Sequence, residues 1–200
     1  MMEIAAALVK ELRLRTGAGI MECKSALAEG EGDMDRAVTI LRERGIAKAA
    51  RKAQRTAVEG MIAAYVHPGG RIGVLVELNC ETDFVARNEQ FQTLAKDLAM
   101  HVAAMNPLYI TREEIPETVL EEERRIVEIQ TGGSGKPPEV VERMIRGRLE
   151  KFFAETCLMD QPFVKDQDRT VGQVIKETIS IVGENIVVRR LCRYTLGETS

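Results

Sequence analysis

The sequence predicts an α+β protein, in which a small N-terminal head of three helices precedes a core of mostly antiparallel sheet packed with helices. Three observations carry that prediction. Apolar residues recur at helical spacing through roughly the first 45 positions; the pattern changes to alternation around Ile72, Val74, Val76 and Leu78; long amphipathic helical stripes then begin near Asn88. A chain of 200 residues is long enough for one substantial core and one accessory unit. The expected divisions are a helical head over 1–45, a basic helical connector over 46–58 and an α+β core over 59–200.

In the head, Ile4, Ala5, Leu8 and Leu12 mark a first helix, which Gly17-Ala18-Gly19 interrupts. A second helix spans about Met21 to Ala28. After the turn Glu29-Gly30-Glu31-Gly32, Asp33 caps a third helix carrying Ala37, Val38 and Leu41, expected to close at Gly45. The connector presents Lys48, Arg51, Lys52 and Arg55 with no acid among them, as suits an exposed helix.

The core begins with a hairpin, Met61 to His67 and Arg71 to Leu78, joined by Pro68-Gly69-Gly70. A long helix capped at Asn88 follows, and its stripe of Phe91, Leu94, Ala95, Leu98, Val102 and Met105 is expected in the core. Glu117 to Gln130 forms a charged helix ended by Gly132-Gly133-Ser134-Gly135. Pro137-Pro138 opens the next helix, because proline suits a first turn whose N–H groups have no intrahelical acceptor. Thr170 and Gln173 form a capping-box pair for a helix through Ile175, Ile179 and Val182 that Gly183 stops. Ile186 to Tyr194 completes the sheet.

Composition narrows the function. A net charge of -3 argues against wholesale nucleic-acid binding and favours a protein partner. No apolar run approaches the roughly 20 residues that span a bilayer, and Met1 to Ala5 resembles neither a signal nor a transit peptide, so a cytoplasmic location is expected. Cys23, Cys80, Cys157 and Cys192 lie far apart with no Cys-x-x-Cys pair; they read as reduced, mostly buried thiols. Cys192, between Arg190 and Arg193, reads as a small packed side chain, with a place facing a partner across a sheet edge as the alternative.

No catalytic or cofactor apparatus is evident. The two histidines, His67 and His101, have no obvious catalytic partner, and His101 borders an apolar helix face. Gly132-Gly133-Ser134-Gly135-Lys136 lacks the first glycine of a phosphate-binding loop and follows a helix. The acidic alternation Glu29, Glu31, Asp33, Asp35 lacks the central glycine and twelfth-position glutamate of a calcium loop. The reading is therefore no catalytic residues, no metal site and no cofactor.

Two stretches carry a resemblance. Val76 to Asn88, containing Thr82-Asp83-Phe84-Val85, and Arg15-Thr16-Gly17-Ala18-Gly19-Ile20-Met21-Glu22-Cys23-Lys24 resemble the signatures of the elongation factor Ts family. Met100 to Ala104, Ser134 to Pro137, Gln161 to Val164 and Thr170 to Gln173 extend the match over essentially the whole chain. The resemblance implies a head of UBA-like (ubiquitin-associated) type and a guanine-nucleotide exchange factor for elongation factor Tu. It also implies a factor that is not an enzyme and acts by coupling its own binding to GDP release. Asp83 and Phe84, flanked by Thr82 and Val85, are then the residues that disturb the partner's magnesium site. Leu12, Met21 and Lys24 would meet the partner's nucleotide-binding domain, and Ile72, Gly73 and His101 its third domain. Longer members carry two core modules where this chain has room for one, which implies a homodimer in a 2:2 complex, with the strand near Cys192 a candidate contact. The alternative is a non-exchanging interaction module with a UBA-like head.

Overall fold

The computed structural model describes residues 4–131 and 137–198. The expected helix stop at Gly132-Gly133-Ser134-Gly135, and all of the Ser134 to Pro137 match except its last residue, lie outside the described residues. The fold is α+β. Helices α1 (Ala6–Thr16), α2 (Ile20–Glu29) and α3 (Met34–Lys52) precede the strands β1 (Glu59–Val66) and β2 (Ile72–Cys80). Then come the short α4 (Asp83–Ala86), the long α5 (Glu89–Met105), α6 (Glu117–Thr131) and α7 (Pro138–Thr156), the strands β3 (Pro162–Phe163) and β4 (Asp166–Thr170), helix α8 (Val171–Val182) and strand β5 (Val187–Thr195). The main sheet is antiparallel, with strand order β1-β2-β5.

The chain divides into two compact units, each drawn from three stretches. One comprises Met1–Ala63, Glu77–Lys96 and Gln173–Arg189; the other comprises Ala64–Val76, Asp97–Gly172 and Arg190–Ser200.

In the first unit, α1, α2 and α3 enclose a core of Val9, Leu12, Cys23, Ala26, Leu27 and Ala37. Fully burying a leucine such as Leu12 or Leu27 contributes about 1.5–3 kcal/mol. Asp33 caps α3 as expected, its Oδ1 accepting from the Arg36 N–H at 2.8 Å. The helix does not close at Gly45, however. It runs on to Lys52 through much of the expected connector, and Gly45 is buried in mid-helix, where a Cβ would stand 3.3 Å from the Ser180 Cβ of α8. Gly45 is therefore a contact residue that lets two helices approach, and tertiary packing overrides its helix-stopping tendency. The basic residues that follow are largely engaged: Lys48 pairs with Glu22, and Lys52 Nζ donates to the Gly183 carbonyl at 2.6 Å.

Gly60 of β1 takes φ +145°, and a Cβ built on it would lie 2.2 Å from the Leu78 carbonyl oxygen and 2.7 Å from the Asn79 Cα. The two strands thus touch backbone to backbone two or three residues before the turn that opens α4. Asn88 caps α5, its Oδ1 accepting from the Gln90 N–H at 2.8 Å, and Phe91, Leu94 and Ala95 are buried.

In the second unit the later half of the α5 stripe buries Leu98 and Val102, whereas Met105, expected in the core, is exposed at the helix end. Arg112 holds this unit's turns together. Its guanidinium donates to Asp160 at 2.6–3.1 Å and to Glu150 at 2.9 and 3.0 Å, and lies 4.3 Å over the Phe153 ring. The antiparallel pair β3–β4, with Phe163 opposite Asp166, was not anticipated. Asp166-Gln167-Asp168-Arg169 is uniformly polar and gives no alternation signal.

Candidate functional site

Strand β2 ends at Cys80, and Glu81 and Thr82 lead directly into α4. Thr82 is the N-cap, in extended conformation, with its hydroxyl oxygen at a long 3.5 Å from the Val85 N–H. Four residues make barely one turn, and none of them is buried. Phe84 stands out, 79% exposed, which is uncommon for the largest apolar side chain of a turn. Asp83 and Arg87 pair at 2.8 Å on the exposed surface, an (i, i+4) contact worth only a few tenths of a kcal/mol.

The base of this turn is tied down from a distant part of the first unit. Glu184, just after α8, accepts from the Glu81 N–H at 3.1 Å and the Thr82 N–H at 3.0 Å through one carboxylate oxygen, and from the Thr82 hydroxyl at 2.6 Å through the other. In return the Asn185 N–H donates to Glu81 Oε1 at 2.7 Å, while Asn185 Nδ2 donates to the Arg55 carbonyl at 2.8 Å and the Ala53 carbonyl at 3.4 Å. Beneath them the Cys80 thiol donates to the Thr82 carbonyl at 3.1 Å. Burial, aided by the Glu184 carboxylate, pushes that thiol up to about 11, so it stays a neutral donor rather than a reactive thiolate.

The other sequence-predicted residues are placed as follows. Met21 is 75% exposed on α2, and Lys24 lies beside it on the rim of an open groove whose walls are Ile4, Val9, Lys10, Arg13 and Ile20. Leu12 is fully buried in the core of the three helices and offers no surface of its own. In the second unit Ile72 and Gly73 are half-buried on β2, and the space a Cβ would fill at Gly73 is open. Cys23, Cys80 and Cys157 are buried and Cys192 is half-buried.

His101 is fully buried, stacked on Phe163, so its side chain acts within the fold. Its Nδ1 accepts from the Val164 N–H at 3.2 Å. Its Nε2 therefore carries the proton and donates to Gln161 Oε1 at 2.9 Å, while the Gln161 amide donates to the Glu155 carbonyl at 2.9 Å. Burial lowers the imidazole pKa, against a smaller raising effect of the Gln161 hydrogen bond. Because the folded value lies below the unfolded value of about 6.5, the unfolded chain binds more protons just below that pH. This contribution is complete above about pH 6.5 and is lost as pH falls below it, by up to about 1.4 kcal/mol per pH unit. Urea unfolding at pH 7.5 and 5.5 checks it: His101→Gln is expected to flatten the pH slope, and an unchanged slope would refute the assignment.

Glu81, Glu184 and Asn185 are functional candidates that sequence reasoning missed. The one available signal was the position of Glu184-Asn185 between a helix stop and a strand; nothing in their spacing points to Thr82, 102 positions away.

A family model described as elongation factor TS matches residues 33–198. The chain belongs to the elongation factor Ts family. It is 57% identical over 198 residues to elongation factor Ts of Desulforamulus reducens, covering 99% of this chain and 91% of the relative. It is also 57% identical to that of Acetivibrio thermocellus over 98% of this chain and 91% of the relative, and 55% identical to that of Geobacter sulfurreducens with the same coverage. Membership gives the chain the role of a translation elongation factor. Among the described residues no helix is long and apolar enough to cross a membrane.

Proposed function

We propose that this chain is a cytoplasmic guanine-nucleotide exchange factor for elongation factor Tu. It binds the GDP-bound partner, presses Phe84 and Asp83 toward the partner's magnesium site and speeds GDP release, so that GTP can enter. The observation that carries this reading is a large, stiff aromatic side chain held in solvent at the apex of a turn whose base is fixed by hydrogen bonds. A preorganised ring loses little conformational entropy on insertion. Displacing the groups around a bound cation removes charge that neutralises the diphosphate, so the nucleotide leaves faster. The coupling is reciprocal: GDP and the factor weaken each other's binding equally, and the factor performs no covalent chemistry.

In this reading Met21 and Lys24 form the head's contact, with Leu12 supporting them, and Ile72 and Gly73 form a second contact, with His101 buried in the same unit. The deciding experiment is release of fluorescent GDP from elongation factor Tu with and without this protein. Marked acceleration is expected; an unchanged rate would leave the chain a binding module without exchange activity.

The same reading includes a homodimer through β5, which is an outer strand of its sheet. Arg193 Nε donates inward to the Ala103 carbonyl at 3.4 Å, so alternation sends Cys192 and Tyr194 to the opposite face, where Tyr194 is 71% exposed. Light scattering is expected to give twice the chain mass under reducing as well as oxidising conditions, and Cys192→Ser should abolish only a covalently linked form. A monomer mass in both conditions rules the dimer out.

A further inference from the structure

We infer that Glu184 is the positioning residue for exchange, fixing Thr82 so that Phe84 is presented as a rigid wedge; this rests on the exchange reading above. Helix α4 has little of its own to hold it. It is four residues long and buries none of them. One turn of helix has a costly nucleus and no elongation to offset it, so α4 cannot hold its own conformation. Phe84, mostly in solvent, adds little packing to hold it.

What fixes the turn is Thr82. Its N–H and hydroxyl both go to Glu184, and its carbonyl accepts from Cys80. The Glu184 carboxylate is thus the acceptor for three donors on two consecutive residues, all charge-assisted and two of them at 3.0 Å or less. Glu184 is itself held on both sides: the Gly183 carbonyl accepts from Lys52, and the Asn185 N–H donates to Glu81. Removing the Glu184 carboxylate therefore releases the Thr82 N–H and hydroxyl while leaving the Asn185 bonds to Glu81, Ala53 and Arg55 in place. The wedge should lose its orientation before the unit loses its fold.

A loosely held wedge pays its ordering cost when it inserts, so the effect belongs on the maximal rate rather than on binding. The experiment measures GDP release from elongation factor Tu across a range of factor concentrations. Glu184→Ala is expected to lower the maximal rate about tenfold or more, with the half-saturating concentration changed less than about threefold. Glu184→Gln, which keeps one acceptor oxygen, should fall between it and the unsubstituted chain. A purely structural role would instead lower the melting temperature and leave the maximal rate intact at saturation.

A second variant keeps the test decisive if Glu184→Ala folds poorly. Thr82→Val removes the hydroxyl that Glu184 accepts from, and combining it with Glu184→Gln should cost less than the product of the two separate losses. The inference is overturned if the Glu184 variants reach the unsubstituted maximal rate, or if the double variant shows the full product. The unsubstituted chain and Phe84→Ala are run alongside. No acceleration by the unsubstituted chain overturns the exchange reading itself. Acceleration that Phe84→Ala loses and the Glu184 variants retain overturns the positioning role alone.

Discussion

Phe84→Ala is expected to abolish most of the acceleration of GDP release while leaving the fold intact. The ring is 79% exposed and no residue of α4 is fully buried, so its removal takes away no core contact. Exposed substitutions of this kind fall within about 0.5 kcal/mol of the parent, which for a chain of this size moves the melting temperature by no more than about 1–2 °C. The functional cost is of another order. Truncating a central aromatic anchor typically costs about 2–3 kcal/mol, and at 1.36 kcal/mol per tenfold this slows exchange roughly 30- to 150-fold. Stopped-flow GDP release together with a thermal melt separates the two effects. A variant that melts like the parent and exchanges like the parent would remove Phe84 from the mechanism.

The largest effect on stability is expected at Gly60. An added Cβ there would sit 2.2 Å from the Leu78 carbonyl oxygen and 2.7 Å from the Asn79 Cα, both backbone atoms that no side-chain rotation can move aside. The φ of +145° adds strain of about 1–3 kcal/mol for any L side chain. Steric displacement and strain together place Gly60→Ala at about 3–5 kcal/mol, a melting temperature lowered by about 6–20 °C. Gly73→Ala, on β2, is the matched control: nothing lies within 4 Å of its Cβ position and its φ is unexceptional. It should be neutral or raise stability by about 0.4–1 kcal/mol through the unfolded chain's entropy. Equal melting temperatures for the two variants would refute the close-approach argument. Because only Cys80 separates Leu78 and Asn79 from the residues that Glu184 and Asn185 hold, Gly60→Ala should also disturb the presentation of Phe84.

Local signals in the sequence are strong where the determinant is local. The hairpin and the cap at Asn88 follow from alternation, helical periodicity and a side chain that reaches its own neighbouring N–H groups. The segment Thr82 to Val85 stands out through its resemblance to the family signature, whereas the short α4 and its cap at Thr82 were not expected. Signals fail where two distant segments meet. Gly45 carries a helix stop by propensity, yet it continues a helix because a glycine is what permits the approach of Ser180. Met105 has the periodicity of a core residue but lies where the helix end is exposed.

Residue order alone carries the α+β class, the succession of the principal elements, the family and the position of Phe84 on a strand-to-helix turn. Only the tertiary structure decided that Leu12 and His101 are buried and that Phe84 is exposed, because periodicity defines a face and not what covers it. Only the tertiary structure, too, joined Glu184 to Thr82. A hydrogen bond depends on a few tenths of an ångström between atoms, and no pattern of residue types encodes that separation across a hundred positions of chain.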